Sequence, residues 1–160
     1  MIKKTSKIYI AGHNGLVGSA LYNLLSNSGY KKILYKSSKE LNLTNFKKVD
    51  NFFKKNKPEF LVICAAKVGG ILENKSYPMG FLLDNISIQK NLLLASKKHN
   101  IKRTIFLGSS CVYPKFSKIP IKESYLMTGK LEKTNESYAL SKIIGIRLCD
   151  ILFNTFKKDV

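Results

Sequence analysis

At 160 residues, 44% of them apolar, the chain fits one domain with a sizeable core, and its apolar runs fall far short of the ~20 residues that cross a bilayer. The net charge of +18 rests almost wholly on lysine, with arginine only at 103 and 147. Scattered lysine, without arginine as base reader or an aromatic stacking face, argues against a nucleic-acid partner. It fits a composition also rich in Asn and Ile.

The elements follow in order. "KIYIAG" (7–12) reads as a buried strand ending in Gly. Residues 16–28 carry Leu16, Val17, Ala20, Leu21, Leu24 and Leu25 at helical spacing, and Gly29 stops that helix. "KILY" (32–35) is a second strand. Residues 46–58 form an amphipathic helix with Phe46, Val49, Phe52 and Phe53 on one side, ended by Pro58. "FLVICAA" (60–66) is a third strand, apolar throughout, as expected when both sheet faces are covered. A long helix spans 78–100, a fourth strand 104–110, and a last helix 136–156. A loop holding Pro114 and Pro120 precedes that helix. Strands alternating with helices predict an α/β fold, a Rossmann-like doubly wound parallel sheet, in one domain over 1–160.

The N-terminus starts basic, but its apolar run is too short for a signal peptide and leads directly into a glycine-rich turn, a cytoplasmic reading. Cys64, Cys111 and Cys149 form no CxxC, so neither a disulfide framework nor a metal site is indicated. Cys64 and Cys149 fall in apolar patterns and read as small core residues. Cys111 lies in a polar loop.

"AGHNGLVG" (11–18) places Gly12, Gly15 and Gly18 where the first strand hands over to a helix. Glycine permits the tight turn and lets backbone approach a pyrophosphate, which the free N–H groups at the helix N-terminus attract. In this strand–loop–helix context the motif predicts a dinucleotide site, formed by Gly12, His13, Asn14, Gly15, Leu16, Val17 and Gly18. His13 is taken as a member of the loop, with no partner of its own. The second strand ends in Lys36, Ser37 and Ser38, where an NAD site commonly has an acid. Cation and hydroxyls suit a 2′-phosphate, so NADP(H) is the expected cofactor; nearby Glu40 pulls the other way.

Tyr138 and Lys142 stand four residues apart on one face of the last helix. A nearby ammonium favours the phenolate, so Lys142 is expected to lower the Tyr138 pKa and suit the phenol to proton exchange near neutrality. Ligands of a parallel sheet sit at the carboxyl ends of its strands. Ser109 and Ser110 lie at one such end. Ala65 and Ala66 lie at another, where small side chains leave room for a nucleotide.

The glycine loop, Ser109, Tyr138 and Lys142 together resemble the extended short-chain dehydrogenase/reductases. The longer strings "AGHNGLVGSA", "AAKVGGI", "LGSSCVYPK" and "TNESYALSKIIGI" resemble, within them, the GDP-L-fucose synthase family, over residues 8 to about 158. The resemblance implies an NADPH-dependent enzyme acting on a GDP-sugar substrate. It epimerises C3 and C5 of GDP-4-keto-6-deoxy-D-mannose, then reduces the C4 ketone. It further implies Ser109, Tyr138 and Lys142 as the reductase triad, Lys142 also holding the nicotinamide ribose. Gly12 to Gly18 and Leu107, Gly108, Ser109 and Ser110 would line the cofactor, and Cys111 would be the epimerisation base.

Family members are much longer and form homodimers, so the chain is expected to be an N-terminal part, its sheet incomplete on the C-terminal side, its last strand left with an unpaired edge, and inactive or nearly so alone. The family's second epimerisation residue, a His, falls beyond residue 160; His99 is not its counterpart. Asn14 stands where the family often has a basic residue. Another nucleotide-sugar epimerase or dehydratase, and a non-catalytic NADP-binding module, are the alternatives. Cys111 argues against the first and the intact Ser–Tyr–Lys set against the second.

Overall fold

Four short strands run parallel in one sheet, in a computed structural model that describes residues 2–160. They are β1 (Ile8–Ala11), β2 (Ile33–Leu34), β3 (Phe60–Ile63) and β4 (Arg103–Phe106), in the spatial order β2-β1-β3-β4. Register places Ala11 beside Ile63 and Ile63 beside Phe106. The carboxyl ends of β1, β3 and β4 therefore form one rim, and the loops leaving it meet.

The alternation along the strands sorts the core into two faces. Tyr9, Ala11, Leu61 and Ile63 point to one side. There they meet α2 (Phe46–Asn56), α4 (Pro78–Lys98) and α5 (Glu136–Phe156) through Val49, Phe53, Leu92, Leu93 and Leu152. Burying a side chain such as Phe53 removes it wholly from water, an effect of roughly 1.5–3 kcal/mol. Ile8, Ile10 and Val62 point the other way, onto Leu21 and Leu25 of α1 (Leu16–Asn27). Helices thus cover both faces, as the sequence predicts. Leu16, Val17 and Leu24, expected on the packed side of α1, are exposed. Ile105 of β4, on the α1 side, is also half open to solvent.

Local chemistry sets the helix ends. Asn45 caps α2, its side chain accepting from the Lys48 N–H at 3.0 Å. The helix ends in Lys57, in left-handed conformation, just before Pro58. Pro78 opens α4 at its first turn, where its missing N–H costs nothing. One helix went unforeseen: α3 (Ile71–Ser76), between Gly70 and Pro78. Ser110–Val112 and Glu123–Tyr125 form single 3₁₀ turns.

The outer edge of β4 is not bare, contrary to expectation. The Thr104 N–H donates to the Asp159 carbonyl at 2.8 Å, and Arg103 Nε donates to the Asp159 carboxylate at 2.7 Å. The tail after α5 lies along that edge. Among the described residues, no helix is long and apolar enough to cross a membrane.

Candidate active site

β1 delivers the chain to the rim at Ala11, and the turn into α1 is tight. Gly12 has φ +89, and a Cβ there would sit 2.6 Å from the Ala65 backbone nitrogen. A Cβ on Gly18 would sit 2.1 Å from the Gly12 carbonyl oxygen. Only glycine at both positions lets β1, β3 and the start of α1 close up this far. Gly15 caps α1 with no side-chain hydrogen bond and no acid in the first turn. The N-terminal N–H groups of a full three-turn helix are left for an anion.

Above this loop lies a cavity of about 570 Å³, within the range of small-molecule and cofactor pockets. Residues 12–18, Lys36, Ala65, Ala66, Leu107 and Gly108 line it, together with Tyr138 and Lys142 of α5. The structure thus brings most of the sequence-expected residues to one wall or another. Ser109, Ser110 and Cys111 stand just past the Leu107–Gly108 wall, where β4 turns into its 3₁₀ turn. His13 packs its ring on Tyr35, centroids 4.7 Å apart, and its buried Nδ1 has no partner among the described residues.

Lys142 is 3% exposed. Its ammonium donates to the Leu107 carbonyl at 2.8 Å and lies 4.8 Å from the Phe106 ring centre and 5.9 Å from that of Tyr138. Burial pulls the Lys142 pKa down, while the Cys111 and Cys64 sulfurs oppose that. The Cys111 thiol donates to the Ser109 hydroxyl at 3.1 Å. Tyr138 departs from expectation. Burial, then the Cys111 sulfur, raise its phenol above the ordinary value, and a hydrogen bond from Ser109 only partly offsets this. Lys142 is not among the causes of the shift; its ammonium is bonded to the Leu107 carbonyl. The i, i+4 spacing puts both side chains on one face but does not say which acceptor the ammonium takes.

Sequence reasoning missed several residues. Cys64, read as core, packs against the Ile8, Ile10 and Val62 cluster, but it also lines the cavity and senses Lys142; burial raises its pKa. Cys149, read the same way, does pack against the core, and burial lifts its thiol to about 11. Asn85, buried on α4, holds the loop after β3. Its side-chain oxygen accepts from the Lys67 N–H at 2.7 Å, and its amide donates to the Lys67 carbonyl at 2.9 Å. Gln89, one turn on, donates to the Ser141 carbonyl beside Lys142. A polar stripe at i, i+4 on a long apolar helix was the available signal.

Strand rim, glycine turn and helix N-terminus together define a Rossmann-like α/β domain. The chain belongs to the NAD dependent epimerase/dehydratase family, whose model matches residues 8–158. It is 47% identical over 149 residues to a putative GDP-L-fucose synthase 2 of Arabidopsis thaliana, covering 93% of this chain and 45% of that one. It is 40% identical over 153 residues to a GDP-L-fucose synthase of Escherichia coli K12, covering 96% and 48%. A solved GDP-D-glycero-L-gluco-heptose synthase of Campylobacter jejuni, crystallised in the presence of NADPH, superposes with a TM-score of 0.95 at 35% identity, covering 99% and 46%. The chain spans about half the length of these relatives.

Proposed function

We propose that this chain forms the cofactor-binding and catalytic-loop part of an NADPH-dependent epimerase/reductase that converts GDP-4-keto-6-deoxy-D-mannose to GDP-L-fucose. One observation carries the reading: Ser109 and Cys111, hydrogen-bonded to each other just past the Leu107–Gly108 wall, stand beside Tyr138 and Lys142, which line the cavity. Three of them are groups that carbonyl reduction uses. The fourth is a thiol, which reduction does not need and carbon-acid chemistry does.

The residues fit a dinucleotide. The cradle at Gly12 and Gly18, too tight for any Cβ, lets backbone N–H groups approach a pyrophosphate. Lys36 and Ser37 at the end of β2 offer donors to a 2′-phosphate. Bound there, the cofactor supplies hydride for the ketone. Lys142, whose ammonium donates to the Leu107 carbonyl, would hydrogen-bond the ribose hydroxyls of the cofactor. Tyr138 hands its phenolic proton to the C4 oxygen as the alkoxide forms, and Ser109 donates a hydrogen bond to that oxygen. For epimerisation, the Cys111 thiolate takes the proton on the carbon next to the ketone. The electron pair moves onto the C4 oxygen, where Ser109 and Tyr138 hold the enolate. Reprotonation from the opposite face completes the inversion.

The test is isotope exchange in deuterated water, on the protein that carries this chain. Cys111→Ala is expected to abolish deuterium uptake at C3 and C5 of the keto sugar while leaving reduction of an already epimerised ketone largely intact. Tyr138→Phe is expected to cut reduction by roughly 10²–10⁴-fold and to slow deuterium uptake without abolishing it, since Ser109 still holds the enolate. Exchange at the native rate in the Cys111 variant sinks the epimerase reading.

A further inference from the structure

We infer that Glu40 is a built-in competitor for the 2′-phosphate of the cofactor and so helps to set how strongly NADPH is preferred over NADH. The inference rests on the cofactor reading above. Glu40 lies four residues past Lys36, where the chain turns away from β2. One carboxylate oxygen accepts from Lys36 Nζ at 2.6 Å; the other accepts from the Ser37 N–H at 2.9 Å and the Ser37 hydroxyl at 2.8 Å. An ammonium, a backbone amide and a hydroxyl thus converge on one anion.

That donor set is what a phosphate monoester takes. Lys36 and Ser37, which supply it, line the cavity at the end of the strand where the adenosine ribose of a dinucleotide lies. The carboxylate fills the place of a phosphate with its own charge. It is ionised throughout the working range, because Lys36 and Ser37 hold its pKa down to about 2. Both partners of the ion pair are half exposed, 43% for Lys36 and 50% for Glu40, so the contact is weak and exchangeable. An entering 2′-phosphate either displaces the carboxylate from the shared donors or binds beside a like charge. Each route lowers affinity for NADPH. Neither touches NADH, whose 2′-hydroxyl can donate to the same carboxylate. Asn14, neutral in the facing loop, adds no compensating cation.

The experiment measures direct binding by calorimetry, without turnover. The protein that carries this chain and its Glu40→Gln variant are titrated with NADPH, NADH, 2′,5′-ADP and 5′-AMP. Gln keeps the size and one acceptor for Ser37 but removes the charge. NADPH and 2′,5′-ADP are expected to tighten by about fivefold, the scale of one exposed charge pair, with NADH and 5′-AMP unchanged or weaker. Lys36→Met is expected to shift the NADPH-to-NADH ratio the other way, which gives a second reading should the first variant fold poorly. An unchanged or reduced ratio in Glu40→Gln overturns the inference. So does an equal change for both cofactors, since that marks Glu40 as merely shaping the turn. If the native protein binds neither dinucleotide but keeps its fold by circular dichroism, the cofactor reading itself fails and takes the inference with it.

Discussion

Burial and the Cys111 sulfur hold the Tyr138 phenol above its ordinary value of 10.0, against the pull of the Ser109 hydroxyl. In the proposed reduction this phenol gives up a proton, so the working form is the neutral one. A raised pKa keeps that form populated through neutrality and beyond. The ketone-reduction rate is therefore expected to stay level across neutral pH and to fall only in the alkaline range above the ordinary tyrosine value; a fall already complete by about pH 8 would contradict it. At this scale the sequence was legible where chemistry is local. Ser109 follows from its place at a strand end, and Tyr138 and Lys142 from one helix face. Asn85 was not legible, because its partner is the Lys67 backbone, 18 residues away, and only the docking of α4 on the loop after β3 joins them. Cys64 was legible as core, but not as part of the cavity wall, since an apolar neighbourhood in sequence looks alike whether or not the strand end also borders a cavity.

α5 reaches the rim only because Gly145 lets it lie flat on β4 and α4. A Cβ at 145 would stand 2.4 Å from the Phe106 ring and 2.5 Å from the Gln89 side-chain oxygen. Lys142, nearly one turn earlier, lies over that same Phe106 ring. Gly145→Ala is expected to push α5 outward, lowering stability by about 1–3 kcal/mol and loosening Lys142. Thermal melts with and without NADPH check both parts; an unchanged melting temperature would show that the contact yields freely. Most elements were legible from period and punctuation, since buried parallel strands and amphipathic helices differ in length and spacing. α3 escaped because six residues between Gly70 and Pro78 are too few to show a helical period. The strands came out shorter than expected because, past the last bonds from the Cys64 and Leu107 N–H groups to the Ala11 and Ile63 carbonyls, the chain leaves the ladder to build the rim. The tail along β4 was invisible in the sequence, as its bond is between backbones far apart in the chain.

For the molecule as a whole, the high positive charge makes each carboxylate matter. Asp50 of α2 ties to Lys98 and His99 at the end of α4, each at 2.8 Å. Glu59 ties the start of β3 to Lys102 and to the Lys7 N–H. Lys98 and His99 hold Asp50 below its ordinary pKa, and Lys102 and Lys7 do the same for Glu59. A carboxylate depressed in the folded state stabilises it above the unfolded value and loses that contribution as pH falls through the folded one. Stability is therefore expected to hold near neutrality and to decline once pH drops below the ordinary carboxylate values of 3.8 and 4.5. Chemical denaturation at stepped pH measures this, with Asp50→Asn expected to blunt the acid loss; identical acid profiles for the two proteins would count against it.

The tail on β4 bears on how the molecule breathes. The strap is tied by the Thr104–Asp159 backbone bond, the exposed Arg103–Asp159 ion pair, the exposed Lys158–Asn100 hydrogen bond and the contact of Val160 with the core. Little apolar surface has to be uncovered to release it, so its opening free energy lies well below that of global unfolding. The Thr104 amide can therefore trade its hydrogen with solvent while β1 and β3 stay closed. The β4 edge can thus open without the core, although Thr104 itself is buried.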